Sequence, residues 1–475
     1  MPAEAEMTVP VAPEPSATVR DCSPRDQADD LAVDTAAPVL LSVEISRALY
    51  GCADAIGLAF ANDSEAILTL AARGIRGPLL LMESWSGAEA MAEIRRLAPE
   101  RVVAAGFNEQ DLRQRLAGFA VEWVPVNPEA ALPHQDVQYE RVWIVNSAEQ
   151  AAVLGAVGRQ IDAAAMTAVG DLRALAPQGR KMLRDAARVE LHADLGPDAA
   201  WQLEVIRRGD ETPGGGLLMI EPERARRLVA MYGHPATSQL GVLGEQDPSQ
   251  GVARLRSIAD GYDADGSDAL LAFEIIATVA SARAGRDGDY SNETALDEIR
   301  PWITAAAAND MYVVLDLQPG RTDFLTQAKR YEEFLRLPHV GLALDPEWRL
   351  GPDQVHLRQI GTVDASEINQ VVQWLAGLVR SEALPQKLLI LHQFRFSMIT
   401  NRELVETPAE LAVLIHMDGQ GPIDTKYSTW DVLTGQTDAY RFYWGWKNFY
   451  DEDFPTPTAE QVLGLTPSPL YVSYQ

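Results

Sequence analysis

Two short segments place acids where a buried strand would end. Residues 311–320 (MYVVLDLQPG) and 340–348 (VGLALDPEW) each run through apolar β-type residues and stop at carboxylates. Such a run reads as a buried parallel strand whose carboxyl end opens onto a functional face. One carboxylic acid beside a second carboxylate is what glycosidic bond chemistry needs, the first protonating the leaving oxygen and the second acting as nucleophile or base. The spacing therefore nominates Glu347 as the acid/base and Asp316 or Asp345 as its partner, with Glu274 and Asp418 in reserve. Tyr232, His234, Gln318, His392, Gln393, Trp444, Trp446 and Lys447 follow other apolar runs and are the expected substrate-binding groups, rings for the faces of a sugar and polar heads for its hydroxyls.

Other chemistries have weaker patterns. His392 and His416 could join Asp316, Asp345 and Asp418 around a metal, but no HxH or HExxH spacing accompanies them, so no metal and no cofactor is assigned. Asp263, Asp265 and Glu274 occupy the first, third and twelfth places of a calcium loop, yet Asp268 stands where that loop needs glycine. The glycines at 214–216 are not followed by Lys-Ser or Lys-Thr, and neither GxGxxG after a strand nor a Gly-x-Ser-x-Gly elbow is present.

The acids need elements to position them, and eight apolar runs supply these: 227–233, 269–276, 312–318, 341–345, 387–393, 411–418, 440–446 and 470–474. Helical stretches at 251–259, 295–308, 324–337, 365–379 and 458–463 separate most of them. Eight strands with crossovers predict a C-terminal (β/α)8 TIM-type barrel over 217–475, a doubly wound open sheet being the alternative. Upstream, strands at 55–61, 77–82 and 101–106 with a helix at 88–97, then a second cycle at 141–146, 148–159 and 163–171, predict an N-terminal Rossmann-like repeated α/β domain over 39–212. Residues 1–38, rich in proline and acids, read as a disordered leader with no apolar export core.

Composition narrows the partners. The chain of 475 residues carries 68 acidic against 40 basic side chains, a formal charge of -28, which disfavours nucleic acid and anionic lipid. No uninterrupted apolar stretch reaches the roughly 18 residues of a membrane span. Cys22 and Cys52 are the only cysteines, so a cysteine zinc site is unavailable; one bridge or two unrelated thiols are both open.

The segment Pro78, Leu79, Leu80, Leu81, Leu97, Pro99, Val102, Val103 and Gly106 resembles the cell wall-binding repeat type 2, with Gly106-Phe107 where that repeat has Gly-Gly. The strings PGGG (213–216), YGHP (232–235), GVLGEQ (241–246), LDLQPGR (315–321), LDPEW (344–348), LHQF (391–394) and VSYQ (472–475) resemble exported actinobacterial proteins that pair such repeats with a glycosidase-like barrel. The resemblance implies a glycoside hydrolase-like protein that acts on or binds a cell-envelope polysaccharide, outside the cell or on its wall. A non-catalytic wall-binding or structural protein on a degenerate barrel is the second expectation. The oligomeric state stays open.

Overall fold

The computed structural model of the chain describes residues 20–25, 36–132, 138–220, 226–262 and 269–475. Most of the expected leader, and Asp263, Asp265 and Asp268 of the calcium-loop pattern, lie outside those residues. The chain divides into two compact units, Met1–Ala168 with Asp185–Leu195, and Val169–Arg184 with Gly196–Gln475.

The first unit is α/β with parallel pairing throughout. One sheet holds four strands in the order Leu79–Met82, Ala55–Phe60, Arg101–Ala105, Ala120–Val124, and a second holds three in the order Ala163–Thr167, Arg141–Val145, Arg188–Leu191. The strand-then-helix order forces crossovers and hence parallel neighbours. Helix starts follow their caps: Asp63 accepts from the Ala66 amide at 2.9 Å and Ser147 from Gln150 at 3.1 Å. The expected Rossmann-like repeat appears as two separate small sheets and not as one doubly wound sheet. Strands 120–124 and 188–191 were not anticipated, because their mixed burial interrupts the apolar run that marks the others. Cys22 and Cys52 form a disulfide with Cα atoms 5.1 Å apart.

The second unit contains a closed barrel of eight parallel strands: β1 (Leu228–Gly233), β2 (Leu270–Ala280), β3 (Tyr312–Leu317), β4 (Val340–Leu344), β5 (Lys387–His392), β6 (Leu411–Met417), β7 (Tyr443–Asn448) and β8 (Tyr471–Tyr474). Each pairs with the next, and β8 returns to β1 through Val472 opposite Val229. Alternate residues point inward. Leu228, Ala230, Leu270, Ala272, Tyr312, Val314, Ala343, Leu388, Ile390, Ala412, Leu414 and Tyr471 make one apolar cluster, with Met219 and Ile220 from the segment before β1. Gly341 belongs to this packing, since a Cβ there would meet the Leu388 carbonyl at 2.6 Å and the Tyr312 hydroxyl at 2.8 Å. That space lets Tyr312 accept from the Leu388 amide at 3.1 Å.

Helices α1 (Pro248–Ala259), α2 (Leu296–Ala308), α3 (Phe324–Arg330), α4 (Ala365–Ser381), α5 (Ile423–Thr434) and α6 (Ala459–Leu463) lie between strands. The β5–β6 crossover departs from the pattern, with 3-10 turns at Phe396–Met398 and Arg402–Leu404 in place of an α-helix. Arg402, fully buried, holds it: the guanidinium donates to both Asp438 oxygens at 2.6 and 2.8 Å and to Gln393 Oε1 at 2.8 Å. The triple glycine is a tight loop, with φ of 71°, 80° and 108° at Gly214, Gly215 and Gly216, conformations that side chains with a Cβ resist. Its carbonyls accept from the Arg226 guanidinium, the opposite polarity to a phosphate cradle.

Candidate active site

The inward row of each strand changes from apolar to polar toward its carboxyl end, and the polar ends converge. Tyr232 of β1, Glu274 of β2, Asp316 of β3, His392 of β5, His416 of β6, Lys447 of β7 and Ser473 of β8 are all buried, with Asp345 and Asp418 just past β4 and β6. Glu347 sits in the 3-10 turn Pro346–Trp348 and is only half-buried. Asp345 caps that turn, accepting from the Glu347 amide at 3.1 Å, so the acid pair is held by backbone geometry.

His392 is the hub. Its Nε2 lies 2.8 Å from Glu274 Oε1 and 3.7 Å from Asp316 Oδ1, and its Nδ1 lies 3.0 Å from Asp418 Oδ2. Glu274 also accepts from the Tyr471 hydroxyl at 2.9 Å, and Asp316 from the Tyr232 hydroxyl at 2.9 Å. Gln318 donates to that Tyr232 oxygen at 3.3 Å and accepts from the Ala280 amide. Lys447 Nζ stands 3.3 Å from the centroid of the Tyr232 ring, a cation over an aromatic face. His416 Nε2 meets Ser473 Oγ at 3.2 Å. Buried oxygens Asp316 Oδ1 and Asp418 Oδ1, and the nitrogen His416 Nδ1, have no hydrogen-bond partner.

These neighbours sort the protonation states. Desolvation works against charge on His392, but Glu274 and Asp418 outweigh it and raise the imidazole well above its usual value. Burial would raise Glu274, yet the His392 charge and hydrogen bond hold it down at about 2. Burial drives His416 to about 3, so it is neutral. Burial, reinforced by the charge of Glu274, lifts Asp316 to about 6, and burial with Asp418 beside it lifts Glu347 to about 7. Burial also raises Asp345 well above the carboxylate range. The centre thus holds groups that keep a proton beside groups that have lost one, the arrangement acid–base chemistry uses.

Of the expected site residues, Glu274, Asp316, Asp345, Glu347, Asp418, Tyr232, Gln318, His392 and Lys447 come together. Four do not. His234 lies on the loop after β1 and bonds Thr294 at 3.1 Å. Gln393 faces away from the hub and serves Arg402. Trp444 and Trp446 pack against Trp430 of α5, each with ring centroids 5.7 Å away. They sit in the outward phase of β7, whose inward phase is Gly445 and Lys447. Tyr471 and Ser473 were missed; the same alternation along residues 470–474 points both inward.

No family model and no curated protein matches the chain. A solved structure that it resembles is the dihydropteroate synthase of Burkholderia cenocepacia complexed with 7,8-dihydropteroate, at 12% identity and a TM-score of 0.26, covering 56% of this chain and 89% of that one. A likeness of that size carries nothing about function. The expected glycoside hydrolase, or binder of a cell-envelope polysaccharide, is corrected by the geometry of the barrel mouth itself. The mouth shows the physical reason. Glu274 and Asp316 are fully buried and engaged with His392, Tyr471 and Tyr232, and the tryptophans that were to stack on sugars face the helices. No polysaccharide partner is supported. Among the described residues, no helix is long and apolar enough to cross a membrane.

Proposed function

We propose that the barrel mouth is an enzyme active site for proton-transfer chemistry on a small uncharged or cationic substrate that enters past Glu347. The observation that carries this reading is the burial of Glu274, Asp316, Asp345 and Asp418 around His392, with Lys447 the second cation facing them. Burying so many carboxylates costs more than a Leu and Ile filling of the same space would. Strain of this kind gathers where chemistry is done, and the carboxyl end of a barrel is where such folds do it. The substrate is small because side chains fill the shaft, and it is not an anion because its lining is acidic. His392 and Glu274 form the fixed charge pair, and Glu347, at the opening, is the group that meets both solvent and substrate.

The test joins stability to turnover. Asp345→Asn preserves the turn cap and removes a repelled carboxyl, so its Tm should rise by a few degrees while turnover of a panel of small uncharged and cationic esters, amides and alcohols falls by about 10²-fold or more. Glu347→Gln should do the same. No turnover by the wild type together with a lower Tm in both variants would make the cluster structural and remove the reading.

We also propose that the protein works in an oxidising compartment, supported by the Cys22–Cys52 bridge. Thiol labelling of the natively expressed protein, with and without reductant, checks it; free thiols before reduction would overturn it.

A further inference from the structure

We infer that Asp345, His392 and Asp418 bind one divalent transition-metal ion, Mn2+ or Zn2+, with Glu347 at its solvent side. The inference deepens the reading of the mouth as an active site. Oxygens of Asp345 and Asp418 and a ring nitrogen of His392 lie within 4.8 Å of one another, close to what bonds of about 2.0–2.2 Å on either side of an ion span. The ligands come from the ends of β4, β5 and β6, three consecutive strands, so the barrel itself sets their separation.

Independent observations point to a ligand here. Asp418 is 8% exposed, and while its Oδ2 faces His392 Nδ1 at 3.0 Å, its Oδ1 has no hydrogen-bond partner. A buried carboxylate oxygen without a donor is costly, and an ion is a partner that satisfies it. On the far side of the ring, Nε2 is held by Glu274 Oε1 at 2.8 Å, and Glu274 is itself fixed by Tyr471. This carboxylate–imidazole support turns Nδ1 toward Asp418, the orientation that metal-ligating histidines are given elsewhere, and an ion arriving there displaces the Nδ1 proton to solvent. Two or three carboxylates with one imidazole suit a borderline or hard divalent ion and not Cu+.

A deeper trio, Glu274, His392 and His416, has comparable spacing. Its Glu274 is already committed to both His392 and Tyr471 and its His416 Nε2 to Ser473, and all three are fully buried, so that although His416 Nδ1 has no partner the trio offers no free carboxylate to pair with it. In the upper trio Asp345 and Asp418 stand at the strand ends, with half-buried Glu347 two residues past Asp345. The absence of HxH or HExxH spacing does not bear on it, because its ligands come from separate strands.

The experiment uses the full chain stripped with a chelator and titrated with Mn2+ alone, followed by loss of the free-ion electron paramagnetic resonance signal and by calorimetry, and then with Zn2+ in competition. The wild type should bind one ion, Asp345→Asn and Asp418→Asn should each weaken binding at least tenfold, and Glu274→Gln should weaken it 10–100-fold without removing a ligand. Circular dichroism confirms that each variant is folded, and Asp345→Asn, which keeps its cap, answers the question if Asp418→Asn does not fold. No binding by the folded wild type, or affinity unchanged in Asp345→Asn, overturns the site. Turnover that survives chelation without ion binding removes the metal and leaves the acid–base enzyme; ion binding without turnover of any panel substrate leaves the metal and removes the enzyme.

Discussion

His392 and His416 stand with ring centroids 4.9 Å apart on adjacent strands, and their surroundings hold them in opposite protonation states. Burial acts on both in the same direction. The difference lies in what each ring nitrogen meets: His392 has carboxylates on both sides, whereas His416 has Ser473 on Nε2 and no partner on Nδ1. Without an ion, a pair of like residues is thereby pushed in opposite directions by their neighbours, His392 toward its charged form and His416 toward its neutral one.

Glu274→Gln should destabilise the chain by about 3–5 kcal/mol, because it leaves the buried His392 cation facing an amide. Urea unfolding checks the magnitude. The imidazole resonances of His392 should then titrate lower than in the wild type, which a merely looser core would not cause.

Lys387 lies fully buried at the start of β5, donating to the carbonyls of Leu337 and Val340 at 2.6 and 2.7 Å, and desolvation lowers it from 10.5 to about 7. Its folded value is below its unfolded one, so the unfolded chain binds the extra proton between those values. Stability therefore rises with pH from about 7 toward 10.5 and is lost as pH falls through about 7. Urea unfolding of wild type and Lys387→Met across that window should show the slope in the first and a flatter profile in the second.

Arg402→Lys should cost about 2–4 kcal/mol, since an ammonium cannot reproduce two parallel bonds to Asp438 and a third to Gln393. Protease cleavage within residues 393–410 should accelerate along with the fall in Tm, because this crossover has no helix of its own.

Cys22→Ser with Cys52→Ser should remove roughly 3–4 kcal/mol from the first unit, the cost of freeing a closed loop whose ends are 30 residues apart. Calorimetry checks it, and the effect should match that of reductant on the wild type.

The eight strands were legible because a strand covered on both faces must be apolar throughout, so each announces itself as a run. The acids at their ends followed from the same pattern. What could not be read was which neighbours those acids would have: Glu274 meets His392 across 118 residues and Tyr471 across 197. Phase within a strand is legible as well: counting by twos from Lys447 turns Trp444 and Trp446 outward, and counting from Tyr471 turns Ser473 inward. The α5 helix over 423–434 shows no clear apolar stripe because its polar face is broad, only Lys426, Trp430 and Leu433 being buried. The missing helix of the β5–β6 crossover has no local sign, since Arg402 replaces it through a partner at Asp438.

The apolar layer beneath the mouth, where Tyr312 bridges to the Leu388 amide, makes the polar shaft a cul-de-sac. Protons that reach or leave Asp316 and Asp345 therefore travel by the carboxyl end of the strands, the end at which half-buried Glu347 sits. The barrel gives its interior acids one face toward solvent and closes the other with hydrocarbon.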